Sequence, residues 1–317
     1  MIAFIFPGQG SQKVGMGKAL AEAFPVCRET FAEADAALGE TLSRTCFDGP
    51  EQALTLTENT QPAILAVSIA ACRLLAERGL TPDFVAGHSL GEYSAHVAAG
   101  TFAFADALRV VRRRGQYMQE AVPVGTGAMA AILGLDADRV AEACAEAAQG
   151  EIVSPANLNG AGQVVIAGAT AAVARAGDKA KAFGAKRVIP LSVSAPFHCA
   201  LMQPAQDRLA PELRALAVQD PRVPVVANVD AEPKRRADDA LAALIAQVSA
   251  PVRWEAVVRR LASEGVTTYV EVGPGTVLSG LVRKIHREAT VVAIEKPADL
   301  DAIEKALAGG TPSPAGA

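Results

Sequence analysis

The sequence contains few cysteines and histidines. Only five of its 317 residues are cysteines and only four are histidines. The cysteines are odd in number and form no C-x-x-C pair, which argues against a disulfide framework. We therefore expect reduced thiols in a cytoplasmic protein, and we expect no metal site.

Long apolar runs and an excess of charge are also absent. The longest apolar run, Ala63 to Cys72, contains Ser68 and is too short to cross a bilayer. Met1 is followed at once by a strand-like run, without the basic start of a signal peptide. The net charge of −4 is unlike that of a nucleic-acid-binding protein. We therefore expect neither a membrane nor a nucleic acid among the partners.

Half of the residues, 50%, are hydrophobic, and they follow a regular order. Short apolar strands alternate with helices, which predicts an α/β fold with a mostly parallel sheet covered on both faces. A long buried helix is predicted to begin at Pro62, because proline suits the first helical turn, and to continue to Arg78.

The order of elements changes to βαββαβ between about Gly125 and Pro196, and this order is typical of a ferredoxin-like fold. We therefore predict three parts. They are a large discontinuous domain of residues 1–124 and 197–308, a small inserted domain of 125–196, and a disordered tail of 309–317.

A candidate nucleophile lies in Gly87-His88-Ser89-Leu90-Gly91, which fits G-x-S-x-G. The apolar run Phe84 to Ala86 before it predicts a strand, and Glu92 to Ala99 after it predicts a helix. A serine on such a tight strand-to-helix turn has its hydroxyl lifted clear of the sheet. The alternative is a chance match, in which Ser89 only caps the helix.

A serine nucleophile needs a general base, which is usually a histidine. His88 is adjacent to the serine and points elsewhere, His96 lies two helical turns further on, and His286 is explained as a helix cap. We favour His198, which follows a proline-fixed loop and comes after the serine in the chain, as in hydrolase-type sheets. Cys199 is an alternative nucleophile, but adjacent side chains rarely reach each other, so we assign it to packing.

The group that orients the histidine is not evident from the sequence. No Asp or Glu between Ser89 and His198 falls clearly at the end of a strand. A backbone carbonyl could fix the tautomer instead.

Arg114 is a charged residue on the apolar side of a predicted helix, Phe104 to Ala121. Val110 and Val111 precede it by one turn, and apolar residues follow it by one turn. A charge in such a position is rarely unpaired. It either pairs with a structural carboxylate or receives an anionic ligand, and the sequence pattern leaves both open.

Six motifs occur together between Ile2 and about Leu307. They are Phe6-Pro7-Gly8-Gln9-Gly10-Ser11-Gln12, Gly87-His88-Ser89-Leu90-Gly91-Glu92, Arg114-Gly115-Gln116-Tyr117-Met118-Gln119, Ala195-Pro196-Phe197-His198, Gln247 with Pro251-Val252-Arg253-Trp254, and Glu271-Val272-Gly273-Pro274-Gly275. In combination the chain resembles the malonyl-CoA:acyl carrier protein transacylases of type II fatty acid synthesis, and also polyketide synthase acyltransferase domains. The resemblance implies an α/β-hydrolase-like large domain with a ferredoxin-like insertion.

The resemblance also implies a role for several positions of this chain. These are Ser89 as the nucleophile, His198 as the base, the backbone N–H groups of Gln9 and Leu90 as the oxyanion hole, Arg114 as the partner of the malonyl carboxylate, Gln247 as the residue that orients His198 through its main-chain carbonyl, and Phe197 as the residue that selects malonyl.

The activity implied by the resemblance is malonyl transfer from malonyl-CoA to the phosphopantetheine thiol of acyl carrier protein, through a malonyl-serine intermediate. The expected partners are malonyl-CoA and acyl carrier protein, the expected state is a monomer, and no cofactor is expected besides the thioester substrates. Two alternatives remain. One is a serine thioesterase or hydrolase of acyl-CoA, and the other is a non-catalytic protein that docks the carrier protein.

Overall fold

The computed structural model describes residues 1–123, 125–191, 193 and 195–308. The tail of 309–317, predicted to be disordered, lies outside the described residues. Among the described helices, none combines the length and the apolar character that crossing a bilayer requires.

Strands and helices alternate along the chain, as the apolar pattern predicts. Within the described residues the strands are β1 (Ile2–Phe6), β2 (Phe84–Gly87), β3 (Gly127–Leu133), β4 (Val153–Gly160), β5 (Gln163–Ala169), β6 (Arg187–Pro190), β7 (Val225–Val226), β8 (Pro233–Lys234), β9 (Thr268–Val272) and β10 (Thr290–Ile294). The α-helices are α1 (Lys18–Ala23), α2 (Pro25–Leu38), α3 (Leu42–Asp48), α4 (Glu51–Leu54), α5 (Thr57–Glu77), α6 (Leu90–Ala98), α7 (Phe104–Glu120), α8 (Ala137–Ala148), α9 (Thr170–Ala182), α10 (Gln203–Arg214), α11 (Ala237–Ala246), α12 (Trp254–Ser263), α13 (Val277–Ile285) and α14 (Leu300–Ala308).

The larger sheet has the strand order β10-β9-β1-β2-β7-β8 in the described part of the chain. Its strands pair in parallel, except that β8 runs antiparallel to β7. Side chains alternate across it: Phe4 and Phe6 pack into the core that contains α5, while Ala3 and Ile5 pack into the core that contains α12 and α13. The predicted α/β fold with a mostly parallel sheet covered on both faces is therefore confirmed.

The register of the two central strands positions the site. Phe6 at the end of β1 pairs with Gly87 at the end of β2. Because parallel strands end at the same edge of the sheet, the loop that begins at Pro7 and the turn at Ser89 emerge side by side.

The smaller sheet is antiparallel and has the strand order β4-β5-β3-β6. Ile132 and Ile166 face a core shared with α8 and α9, while Met129 and Val165 join the core of the larger sheet. This arrangement confirms the βαββαβ order and the ferredoxin-like fold. The exact limits of an inserted domain at 125–196 stay a prediction.

The long helix α5 begins at Thr57, so the prediction that it begins at Pro62 is wrong. Proline at this position removes only one helical hydrogen bond. The first turn is instead fixed by tertiary packing, because α7 approaches it closely. A Cβ atom on Gly115 would lie 2.6 Å from the Cα atom of Glu58.

The close packing of α6 against the end of β1 predicts a large effect of one methyl group. A Cβ atom on Gly91 would lie 2.0 Å from the carbonyl oxygen of Phe6. We therefore expect Gly91→Ala to lower the free energy of unfolding by about 2 kcal/mol or more, since overpacking forces the backbone to shift. Urea unfolding measures the change.

Gly280→Ala is the matched control, because Gly280 lies within α13 and a Cβ atom there would meet no heavy atom within 4 Å. Alanine there should stabilise the helix by about 0.5–1 kcal/mol. Equal effects of the two substitutions would contradict the packing argument.

Candidate active site

Ser89 lies on a strained turn between β2 and α6. Its backbone angles are φ 53° and ψ −108°, which residues other than glycine rarely adopt, and it forms the N-cap of α6. Gly87 and Gly91 make the tight turn possible, because a Cβ atom on Gly87 would lie 1.9 Å from the carbonyl carbon of Gly91. The strand–turn–helix arrangement predicted for G-x-S-x-G is therefore present, although the helix begins at Leu90 rather than at Glu92.

His198 is the histidine that reaches the serine. The Ser89 Oγ lies 2.6 Å from His198 Nε2, and His198 Nδ1 lies 3.0 Å from the carbonyl oxygen of Gln247. A carbonyl oxygen only accepts hydrogen bonds, so Nδ1 carries the proton and Nε2 presents its lone pair to the serine hydroxyl. The arrangement resembles a catalytic triad in which a main-chain carbonyl replaces the acid.

The other three histidines interact elsewhere. The ring of His88 pairs with Asn159 at 2.9 Å, that of His96 with Thr101 at 3.3 Å, and that of His286 with Tyr269 at 3.1 Å. The structure thus resolves the choice among the histidines by geometry.

The electrostatic surroundings keep His198 neutral. Burial is the main cause and the positive charge of Arg114 the second, and together they lower the pKa of its imidazole to about 3. A neutral imidazole is the form that can take a proton from a serine hydroxyl. Cys199 beside it is buried, its thiol donates to the carbonyl oxygen of Pro196, and burial raises its pKa to about 11, as expected of a packing residue.

Arg114 is only 2% exposed and lies next to the serine. Its Nη2 lies 3.3 Å from the Ser89 Oγ and 2.9 Å from the Oε1 of Gln247, and its Nη1 lies 2.7 Å from the Oε1 of Gln61. Its guanidinium carbon lies 5.2 Å from the centre of the Tyr93 ring. Throughout the described residues, no carboxylate lies within 4.0 Å of its nitrogens, so the structural ion pair considered as an alternative is not formed there.

Two backbone N–H groups lie where an oxyanion could form. Leu90 begins α6, and Gln9 follows Gly8, which packs directly on the turn. A Cβ atom on Gly8 would lie 2.3 Å from the carbonyl oxygen of His88. In the described part of the chain, neither the Gln9 nor the Leu90 N–H donates to a protein acceptor. Both are free for a ligand.

One cavity of about 440 Å³ connects these groups. Its lining includes Gln9, Ser89, Leu90, Arg114, Phe197 and His198. The sequence-predicted site residues are thus brought together. Gln247 is not among the lining residues, and it is completely buried where it contacts Arg114 and His198.

Sequence reasoning missed two polar residues that hold the site. Asn228 accepts a hydrogen bond from the Ser89 backbone N–H at 2.8 Å and donates to the Gly87 carbonyl oxygen at 2.7 Å. Gln61 is a buried amide within the apolar helix α5. The available signal for Asn228 was a polar residue just after β7, whereas Gln61 ends the polar run that begins α5 at Thr57 and gave no signal of its own.

Comparisons with known proteins agree with this geometry. A family model described as "Acyl transferase domain" matches residues 3–306. The malonyl CoA-acyl carrier protein transacylase of Escherichia coli K12 is 52% identical over 95% of this chain and 97% of its own length. The enzyme of the same name from Bacillus subtilis is 50% identical over 95% of each chain.

Solved structures show the same similarity. An acyl carrier protein S-malonyltransferase from Vibrio cholerae matches with a TM-score of 0.94 and 50% identity, over 95% of this chain and 99% of its own. A malonyl-transacylase solved in complex with a type II polyketide acyl-carrier protein matches with a TM-score of 0.94 and 50% identity, over 96% of this chain and 99% of its own. This chain therefore belongs to the acyl transferase family.

Proposed function

We propose that this chain transfers the malonyl group from malonyl-CoA to the phosphopantetheine thiol of acyl carrier protein. The observation that carries the proposal is the buried guanidinium of Arg114, 3.3 Å from the Ser89 hydroxyl and without a carboxylate partner among the described residues. Such a site fits an acyl group that ends in a carboxylate. The names of the relatives at about 50% identity support the same substrate and acceptor.

The first half-reaction transfers the acyl group to Ser89. The serine Oγ attacks the thioester carbonyl carbon as its proton passes to Nε2 of His198. The N–H groups of Gln9 and Leu90 stabilise the carbonyl oxygen as it becomes negative. The C–S bond then breaks, and the sulfur of CoA takes the proton from His198. The product is a malonyl ester of Ser89 and free CoA thiol.

The second half-reaction runs through the same groups. The phosphopantetheine thiol gives its proton to His198, its sulfur attacks the serine ester, and the ester C–O bond breaks. Ser89 regains its proton from His198. Each half-reaction balances with the malonyl-CoA thioester and the carrier-protein thiol alone, so we propose that the enzyme uses no cofactor.

Selectivity for malonyl follows from the cost of an unpaired buried charge. The malonyl carboxylate provides Arg114 with a two-pronged partner, whereas an acetyl group would bring only a methyl group towards the guanidinium. Phe197 lines the same cavity, and in this proposal its ring limits the space for larger acyl groups. These two contacts are the proposed basis of substrate choice.

The proposed partner and compartment follow from the same assignment. The related malonyl-transacylase in complex with its acyl-carrier protein supports carrier-protein binding by this chain. A single chain supplies every proposed site residue, which supports a monomer. All five cysteines are unpaired thiols, which supports a cytoplasmic enzyme.

Mass spectrometry of the intact protein after addition of malonyl-CoA tests the function. We expect a stable malonyl adduct on the wild type and none on Ser89→Ala, because the adduct forms on the serine oxygen. Rapid release of free malonate would instead indicate a hydrolase, and no adduct at all would indicate a docking protein. A malonyl adduct on Ser89→Ala would contradict the choice of nucleophile.

We expect His198→Ala to lower the acylation rate by about 10²–10⁴-fold, the usual contribution of a general base. Stopped-flow release of CoA thiol measures this rate. His286→Ala is the matched control, since its ring contacts Tyr269 and not the cavity. Normal acylation by His198→Ala together with an inactive His96→Ala would transfer the role of base to His96.

We expect Arg114→Ala to lower kcat/KM for malonyl-CoA on the order of a hundredfold, because a charge-assisted contact is lost. The kcat/KM for acetyl-CoA should stay unchanged or rise, since no buried charge would then be left unpaired. Arg114→Lys should restore only part of malonyl transfer, because an ammonium cannot make the two-pronged contact. A parallel fall for both substrates with a lower melting temperature would show that Arg114 is structural.

A further inference from the structure

Glu92 ends the motif Gly87-His88-Ser89-Leu90-Gly91-Glu92, yet the proposed reaction does not use it. Its side chain is completely buried in the first turn of α6. The Oε2 atom accepts hydrogen bonds from Gln247 Nε2 at 2.9 Å and from the backbone N–H of Asn228 at 3.1 Å. The Oε1 atom has no partner among the described residues. A buried carboxylate is costly unless its charge is compensated nearby.

The compensating positive charge is that of Arg114, which lies on the other side of the Gln247 side-chain amide. Gln247 accepts from Arg114 Nη2 through its Oε1 at 2.9 Å, while its Nε2 donates to Glu92 and, at 2.8 Å, to the carbonyl oxygen of Ser89. A flipped amide would place its oxygen against the carboxylate and its NH₂ group against the guanidinium. The network is therefore satisfied in one orientation only.

Burial and the neighbouring charge of Arg114 act on the pKa of Glu92 in opposite directions. The pKa of Glu92 is raised to about 7, chiefly by burial, although the hydrogen bonds from Gln247 and Asn228 and the charge of Arg114 partly offset that rise. The negative charge of Asp230 adds to the rise in the pKa of Glu92. Arg114 is thus the cation that faces Glu92, and no direct ion pair joins the two residues in the described chain.

We propose that Glu92 is a positioning residue for substrate selection, which balances the charge of Arg114 through the amide of Gln247 and holds the guanidinium beside Ser89. The inference rests on the proposed function, because it assigns to Arg114 the substrate carboxylate. A direct ion pair would occupy the guanidinium and compete with that carboxylate. The interposed amide fixes Arg114 from behind and leaves its open edge to the substrate.

Glu92→Gln tests the proposal, because it keeps the shape of the side chain and removes its charge. We expect kcat/KM for malonyl-CoA to fall about tenfold, a coupling of the size found between neighbouring polar groups, while kcat/KM for acetyl-CoA changes less than about twofold. A merely structural role would lower kcat/KM for both substrates by the same factor. A higher value for malonyl-CoA, or an unchanged ratio, would overturn the proposal.

Glu271→Gln is the matched control. Glu271 is equally buried and accepts from the backbone N–H groups of Leu278 and Ser279 at the start of α13. This substitution should lower the melting temperature and leave the malonyl-to-acetyl ratio unchanged. A changed ratio here would mean that any buried carboxylate affects selectivity, which would also overturn the proposal.

A double-mutant cycle identifies the residue through which Glu92 acts. In an Arg114→Ala background, Glu92→Gln should have no further effect on the malonyl-to-acetyl ratio, and a full tenfold effect there would contradict the proposal. If Glu92→Gln does not fold, Gln247→Leu interrupts the same connection and keeps the main-chain carbonyl that serves His198. It should lower the ratio about tenfold, and an unchanged ratio would contradict the proposal. A wild type that malonyl-CoA does not acylate would refute the proposed function itself.

Discussion

The backbone of α6 touches the end of β1 with no room for a side chain, and the position of Ser89 depends on this contact. A Cβ atom on Gly91 would lie 2.0 Å from the Phe6 carbonyl oxygen, and one on Gly8 would lie 2.3 Å from the carbonyl oxygen of His88. The strained turn at Ser89 therefore lies directly beside the loop that follows β1. Asn228 adds hydrogen bonds on both sides of the turn and helps to hold the unusual backbone angles.

A second constraint is a positive charge inside the protein core. Arg114 is held by the amides of Gln61 and Gln247 and by the face of Tyr93, none of which neutralises it. A directly paired carboxylate would stabilise the free protein and block the site. The neutral partners leave the charge available to a ligand. Gln61 lies in α5 and Arg114 in α7, so the packing of these two helices places the charge beside the serine.

The two sheets meet at the same cavity. Met129 and Val165 of the smaller sheet line it together with Phe197 and the catalytic groups proposed above. The two parts are also joined by backbone hydrogen bonds, from Leu158 N–H to the Val252 carbonyl and from Val252 N–H to the Ala156 carbonyl. The smaller sheet thus forms a wall of the site, in which the apolar side chains of Met129 and Val165 lie beside the polar Asn157, Asn159 and Gln163.

The sequence by itself determined the α/β pattern, the βαββαβ stretch, the turn at Ser89 and the position of Arg114 on an apolar helix face. These are local features, because side-chain periodicity and glycine spacing act within one element. Only the tertiary structure decided that His198 and no other histidine meets the serine, that Arg114 has no carboxylate partner in the described residues, and that Asn228 and Glu92 brace the site. Those contacts join residues more than a hundred positions apart, or depend on which groups a buried side chain meets, and no short-range pattern encodes them.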